Sequence, residues 1–98
     1  MEITSKQRSK LRAMAATLPT IAQVGKGGIS KNSIQSLSAA LEAHELIKIH
    51  VLQNANEEIQ EITEELIKSL DCICVATIGK KIILYRRSSR KNFEHIQF

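Results

Sequence analysis

The order of periodicities along the 98 residues predicts an α/β domain in the order α-β-α-β-α-β-β, with three helices packed in a two-layer α+β arrangement on a mixed four-stranded sheet. Three observations lead there. Apolar residues recur alternately at helical spacing and at period two, the pattern of βαβ crossovers. The last two strand-like segments lie around Gly79-Lys80, which fits a two-residue hairpin turn. The length suits one domain and not two, and no repeat, low-complexity tract or Pro/Gly/Ser-rich linker divides it.

Each element has its own signal. Thr4 to Leu18 reads as a helix: Thr4 and Gln7 have capping-box spacing, Leu11, Met14, Ala15 and Leu18 form an apolar stripe, and Pro19 stops it. Thr20 to Val24 is short, partly β-branched and ends at Gly25, as a strand would. Ser30 caps a second helix to about Ala43, with Ile29 and Ile34 at hydrophobic-staple positions and Ile34, Leu37 and Leu41 as its stripe. Leu46 to Leu52 alternates, placing Ile47, Ile49 and Val51 on one face and Lys48 and His50 on the other, a half-buried strand. Asn54 or Asn56 caps a third helix to about Leu70, with Ile59, Ile62 and Leu66 inward and Glu57 and Glu58 at the positive end of its dipole. Cys72 to Ile78 and Ile82 to Arg87 are the hairpin strands. The domain is expected over 1–87, followed by a polar, basic and loosely ordered tail at 88–98.

Several classes drop out early. No segment approaches the roughly 20 apolar residues of a membrane span. The basic N-terminus leads into no long apolar stretch, so no secretory signal is visible. Two cysteines cannot staple a scaffold and suit a reducing compartment. The expectation is a small cytoplasmic domain, a monomer without a membrane partner.

The net charge of +4 conceals a segregated pattern. Residues 1–41 carry six basic residues against Glu2, a net +5; residues 42–78 carry Lys48 and Lys68 against eight acids, a net −6; residues 79–98 carry six basic residues against Glu94, a net +5. If the two basic blocks meet in space they form a patch for a polyanion, with an acidic face elsewhere. Solvated faces would give the same pattern.

The loop Gly25-Lys26-Gly27-Gly28 is the most informative motif. It joins a strand to a helix N-terminus, where unpaired N–H groups and the helix dipole favour an anion. Its glycines let a phosphate approach the backbone, and Lys26 and Lys31 add mobile charge. A mononucleotide P-loop is excluded because G-x-x-x-x-G-K-[ST] is absent, and the dinucleotide fingerprint because position 30 is Ser. A G-x-x-G clamp on nucleic-acid backbone fits; so does a plain tight turn. Lys6 and Lys10 lie on one flank of the first helical stripe and Arg8 and Arg12 on the other, as phosphate rails or as ordinary solvated flanks. Lys80, Lys81, Arg86 and Arg87 mark the two ends of the last strand, where basic residues could equally protect an exposed edge. With one tyrosine and no tryptophan, base stacking has little support, and backbone and shape reading is favoured.

Catalysis finds little support. Cys72 and Cys74 lack a second pair or a suitably spaced histidine and read as structural thiols, so no metal and no cofactor is expected. His44, His50 and His95 are scattered. The glutamates at 57, 58, 61, 64 and 65 look like a solvated helix face or a site for a basic protein partner. A phosphate-transfer enzyme would need a carboxylate beside the glycine loop, and the nearest in sequence is Glu42, at the far end of the second helix.

Thr4-Ser5-Lys6-Gln7-Arg8, Leu11-Arg12, Gln23-Val24-Gly25-Lys26-Gly27-Gly28, His44-Glu45-Leu46-Ile47-Lys48-Ile49 and Leu84-Tyr85-Arg86 together resemble the CRM domain (chloroplast RNA splicing and ribosome maturation), in its stand-alone bacterial YhbY-like branch. The resemblance runs from about residue 3 to 87. It implies a fold similar to the C-terminal domain of a bacterial translation initiation factor and non-catalytic RNA binding through the G-x-x-G loop. It also implies association with precursors of the large ribosomal subunit, with ribosomal RNA as partner and ribosomal proteins as further contacts. Transferred by position, Gly25, Lys26, Gly27 and Gly28 form the clamp, with Lys6, Arg8, Arg12 and Lys31 nearby. The different reading is a protein–protein adaptor acting through the acidic face of the third helix.

Overall fold

The strand Leu46–Val51 lies inside the sheet, and every residue in it except His50 is buried. The structure, a computed structural model, describes residues 2–55 and 58–98. In chain order they form α1 (Ser5–Ala15), β1 (Ala22–Val24), α2 (Lys31–His44), β2 (Leu46–Val51), α3 (Ile59–Leu70), β3 (Ile73–Ile78) and β4 (Lys81–Tyr85). This is the element order that the periodicities predict. The sheet runs β1-β2-β4-β3; β1 pairs parallel with β2, and β4 pairs antiparallel with both neighbours.

The helices divide between the two faces of the sheet. Leu37 and Leu41 of α2 and Ile62, Leu66 and Leu70 of α3 pack with Ile47, Ile49, Val51, Ile82 and Leu84 on one side. Leu11 and Ala15 of α1 pack with Leu46, Val75, Ile83 and Tyr85 on the other. The two-layer arrangement expected from the sequence is thus three layers, with α1 alone on its face. This corrects the reading of β2 as a half-buried strand: Lys48 is only 9% exposed, because α1 covers the face on which it stands. Its apolar stem makes that placement tolerable.

Local chemistry sets most of the boundaries. Thr4 and Gln7 form the complete capping box, with Gln7 N–H donating to Thr4 Oγ1 at 3.1 Å and Thr4 N–H to Gln7 Oε1 at 2.9 Å. α1 stops at Ala15 rather than Leu18, because Pro19 biases Leu18 away from helical backbone. Met14, one of the expected stripe residues, is 39% exposed. Ser30 caps α2 by accepting from Ser33 N–H at 3.1 Å. α3 begins after Glu58, which makes no side-chain cap bond; Asn54 lies in the preceding turn, while the other expected cap, Asn56, and Glu57 fall outside the described residues. Gly79 opens the hairpin turn at φ +59, the left-handed backbone that glycine tolerates.

The expected loose tail is the clearest departure. Ser88 is buried, Ile96 and Phe98 pack on the α1-side core, and the Phe98 ring meets Tyr85 edge-on at 5.0 Å. The cause is Glu45. Its carboxylate is fully buried and draws Ser88 N–H (2.7 Å), Ile96 N–H (2.8 Å) and His95 Nδ1 (2.5 Å) onto itself. A buried charge needs such partners, and in the described structure the tail supplies them.

Candidate nucleic-acid interface

The register brings the glycine loop and the hairpin turn to one end of the sheet. Val24 pairs with Val51, and His50 with Lys81, so β1 and β2 finish where β4 begins. Leu52 N–H donates to Val24 O at 2.8 Å and Val51 N–H to Lys80 O at 2.7 Å, tying the three segments together. Lys26, Lys31, Lys80 and Lys81 therefore share this end, and all four are exposed. Here two lysines of the first basic block meet two of the last.

Within the loop, Gly28 N–H donates to Gly25 O at 3.0 Å, closing a turn with Lys26 and Gly27 at its corner. The three glycines differ in their surroundings. Gly28 sits at φ +67, where a side chain is strained. A Cβ on Gly25 would touch Leu52 Cδ1 and Asn54 Oδ1 at 3.4 Å. A Cβ on Gly27 would meet nothing within 4 Å, and its φ lies outside the left-handed region. Neither packing nor backbone accounts for Gly27. Its bare surface at the helix α2 approach leaves open space over the turn.

The arginines and lysines of α1 do different things. Lys6 and Lys10 are exposed. Arg8 Nη1 donates to Cys74 O (2.6 Å) and Val75 O (2.8 Å), carbonyls at the register shift of β3. Arg12 and Lys81 line opposite parts of a groove between α1 and the hairpin, and Lys48 lies within it.

Arg86 and Arg87 follow β4 at the opposite end of the sheet and do not join this cluster. Arg86 is built into the fold: Nη1 donates to Leu70 O (2.9 Å) and Nη2 to Ser38 O and Oγ (both 2.9 Å), with Glu42 Oε2 at 3.4 Å. It satisfies carbonyls of α2 and of the last turn of α3 at once. Arg87 is exposed. Beside them, Ser89 hydrogen bonds first, then the Arg86 charge, hold the Glu42 carboxyl below its usual range against a smaller opposing effect of burial. For Glu45, burial alone would push the carboxyl up; the bonds from His95, Ser88 N–H and Ile96 N–H outweigh it and leave the group below its usual range. Burial pushes the Cys72 thiol up to about 11, so it stays protonated and unreactive at neutral pH.

Sequence reasoning did not single out Lys48, Glu45 or His95. For Lys48 and Glu45 the signal was available in the run Glu45-Leu46-Ile47-Lys48-Ile49, where polar residues interrupt a stretch too apolar for an exposed face. His95 had none, because a tail docks through tertiary partners alone.

A family model for the CRS1/YhbY (CRM) domain matches residues 3–86. The chain belongs to the CRM domain family. It is 46% identical over 86 residues to the Bacillus subtilis protein named "Probable RNA-binding protein YqeI", covering 88% of this chain and 90% of that one. A Haemophilus influenzae protein named "RNA-binding protein" is 28% identical over 92 residues, or 94% of this chain and 93% of its own. The solution structure of SAV1595 from Staphylococcus aureus superposes on this CRM domain with a TM-score of 0.76 at 40% identity, covering 93% and 95% of the two chains. Among the described residues, no helix is long and apolar enough to cross a membrane.

Proposed function

We propose that this CRM domain is a non-catalytic, cytoplasmic RNA-binding protein that associates with precursors of the large ribosomal subunit and assists their assembly. The observation that carries the reading is Gly27: a bare, sterically open glycine at the corner of a turn, at the end of the sheet that also carries four exposed lysines. A backbone phosphate placed there would meet N–H groups at the α2 N-terminus, with Lys26, Lys31, Lys80 and Lys81 supplying charge. Lys6, Arg8, Lys10 and Arg12 would extend the contact along α1, while Arg87 would touch RNA only if the bound particle wrapped to the far end. The names of the two relatives support RNA as the partner.

Sucrose-gradient sedimentation of a cell lysate tests the assembly role. The protein is expected to travel with particles near the large subunit at low salt and to be stripped from them at high salt. A protein that stays at the top of the gradient at low salt would contradict it. Retention of a protein partner after nuclease treatment, lost on reversing Glu61 and Glu65, would favour instead an adaptor acting through the exposed acidic residues of α3.

A further inference from the structure

Lys48 is a cation nine-tenths removed from water, 9% exposed, in the middle of β2. Among the described residues its Nζ has one hydrogen-bond contact, a long one of 3.4 Å to Ala16 O, and it enters neither ion pair. An ammonium carries three donors, so this contact leaves it capacity for a group in the groove. A buried charge is normally paired, because losing hydration without compensation is costly.

The surroundings of Lys48 add charge rather than relieve it. It lines the groove between α1 and the β3–β4 hairpin, about 520 Å³ in volume, together with Ser9 and Arg12 of α1 and Lys81 of β4. Among the described residues no acidic side chain lines the groove, and its apolar floor includes Ile78 and Ile83. The volume lies within the roughly 300–1,000 Å³ range of clefts that hold small ligand groups. Three cations from three separate elements around a low-dielectric floor focus a positive potential on one spot. One lining residue, Lys81, pairs with His50 at the end of the sheet that carries the glycine loop.

We propose that this groove is a second phosphate seat for the RNA backbone, in which the Lys48 ammonium forms the base and Arg12, Lys81 and Ser9 form the walls. It rests on the RNA-binding reading above and extends it to a two-point grip, with the glycine loop at the tip of the sheet and the groove on the α1 face. A phosphate would give Lys48 the counter-charge that the fold withholds. The contact to Ala16 O, at the C-terminal end of α1, holds the ammonium in position meanwhile.

The test combines a variant with a titration that needs none. Lys48→Met keeps the unbranched apolar stem and removes the charge. For a structured RNA hairpin, the slope of log affinity against log salt is expected to become shallower by roughly 0.7–0.9, the loss of one neutralised phosphate. In the unaltered protein, NMR titration with the same RNA is expected to shift the Ile78 and Ile83 methyl signals along with the Gly27 amide. If Gly27 shifts while Ile78 and Ile83 do not, or if folded Lys48→Met keeps the full slope, the groove is not a phosphate seat and the loop reading stands. If none of these signals moves at RNA saturation of the assay, both readings fall.

Discussion

Glu45 combines three unusual properties in one residue: complete burial, a positive φ of 64°, and a carboxylate with three donors from the chain's last eleven residues. It follows directly after α2 and makes both the turn into β2 and the anchor for the tail. Glu45→Gln keeps the size but replaces one acceptor oxygen by an NH₂ that faces other donors. The expected cost is about 1–3 kcal/mol. The loss should appear as faster amide exchange at Ser88 and Ile96, with the β2–β4 amides little changed. The pH dependence has a definite sign. Because folding lowers the Glu45 carboxyl below its ordinary 4.5, the stabilisation is complete above that pH and disappears as pH falls through the depressed value. Tail protection should therefore collapse on acidification in the unaltered protein, and it should be weak and nearly pH-independent in Glu45→Gln. Equal protection in both would remove Glu45 as the anchor.

Among the elements, the junction at Arg86 is the one whose loss would be felt most widely, since its guanidinium serves α2 and α3 together. Arg86→Ala would leave the Leu70 and Ser38 carbonyls without this donor and is expected to cost about 2–3 kcal/mol in denaturant unfolding. Arg87→Ala, one residue on and exposed, should fall within about 0.5 kcal/mol of the unaltered protein. A similar effect of the two substitutions would refute the structural assignment. The sequence displays both arginines identically, as a basic pair after a strand, and nothing local distinguishes them. What was legible was local: the Thr4–Gln7 box, the Ser30 cap, the Gly79 turn and the apolar stripes that order the elements. Lys48 shows the limit. Period two correctly placed it opposite Ile47 and Ile49, but whether that face is wet depends on where α1 lies, a long-range fact. The docking of the tail is illegible for the same reason, since its anchor lies in a turn some 43 to 51 residues earlier.

At the scale of the whole molecule, three sequence blocks of alternating charge become a polarised particle. The first basic block supplies α1 and the glycine loop, and the hairpin brings part of the last block to the same end. The acidic middle block places Glu58, Glu61, Glu64 and Glu65 on the outer side of α3, across the sheet from α1. Such a particle would be steered toward a polyanion with the α3 face turned away. The gathering was foreseeable only in part: Lys80 and Lys81 reach the loop through the β2–β4 register, whereas Arg86 and Arg87 are carried away by the length of β4.

The most direct measurement is the RNA affinity of Gly27→Leu beside that of the unaltered protein, with thermal unfolding recorded for both. Because a Cβ at Gly27 would meet no atom within 4 Å, the melting behaviour should be nearly unchanged. Because it fills the space over the turn, affinity for a structured RNA should fall by about tenfold or more, roughly 1.4 kcal/mol or above. A folded Gly27→Leu protein that binds RNA as tightly as the original would contradict the placement of the RNA backbone on the glycine loop.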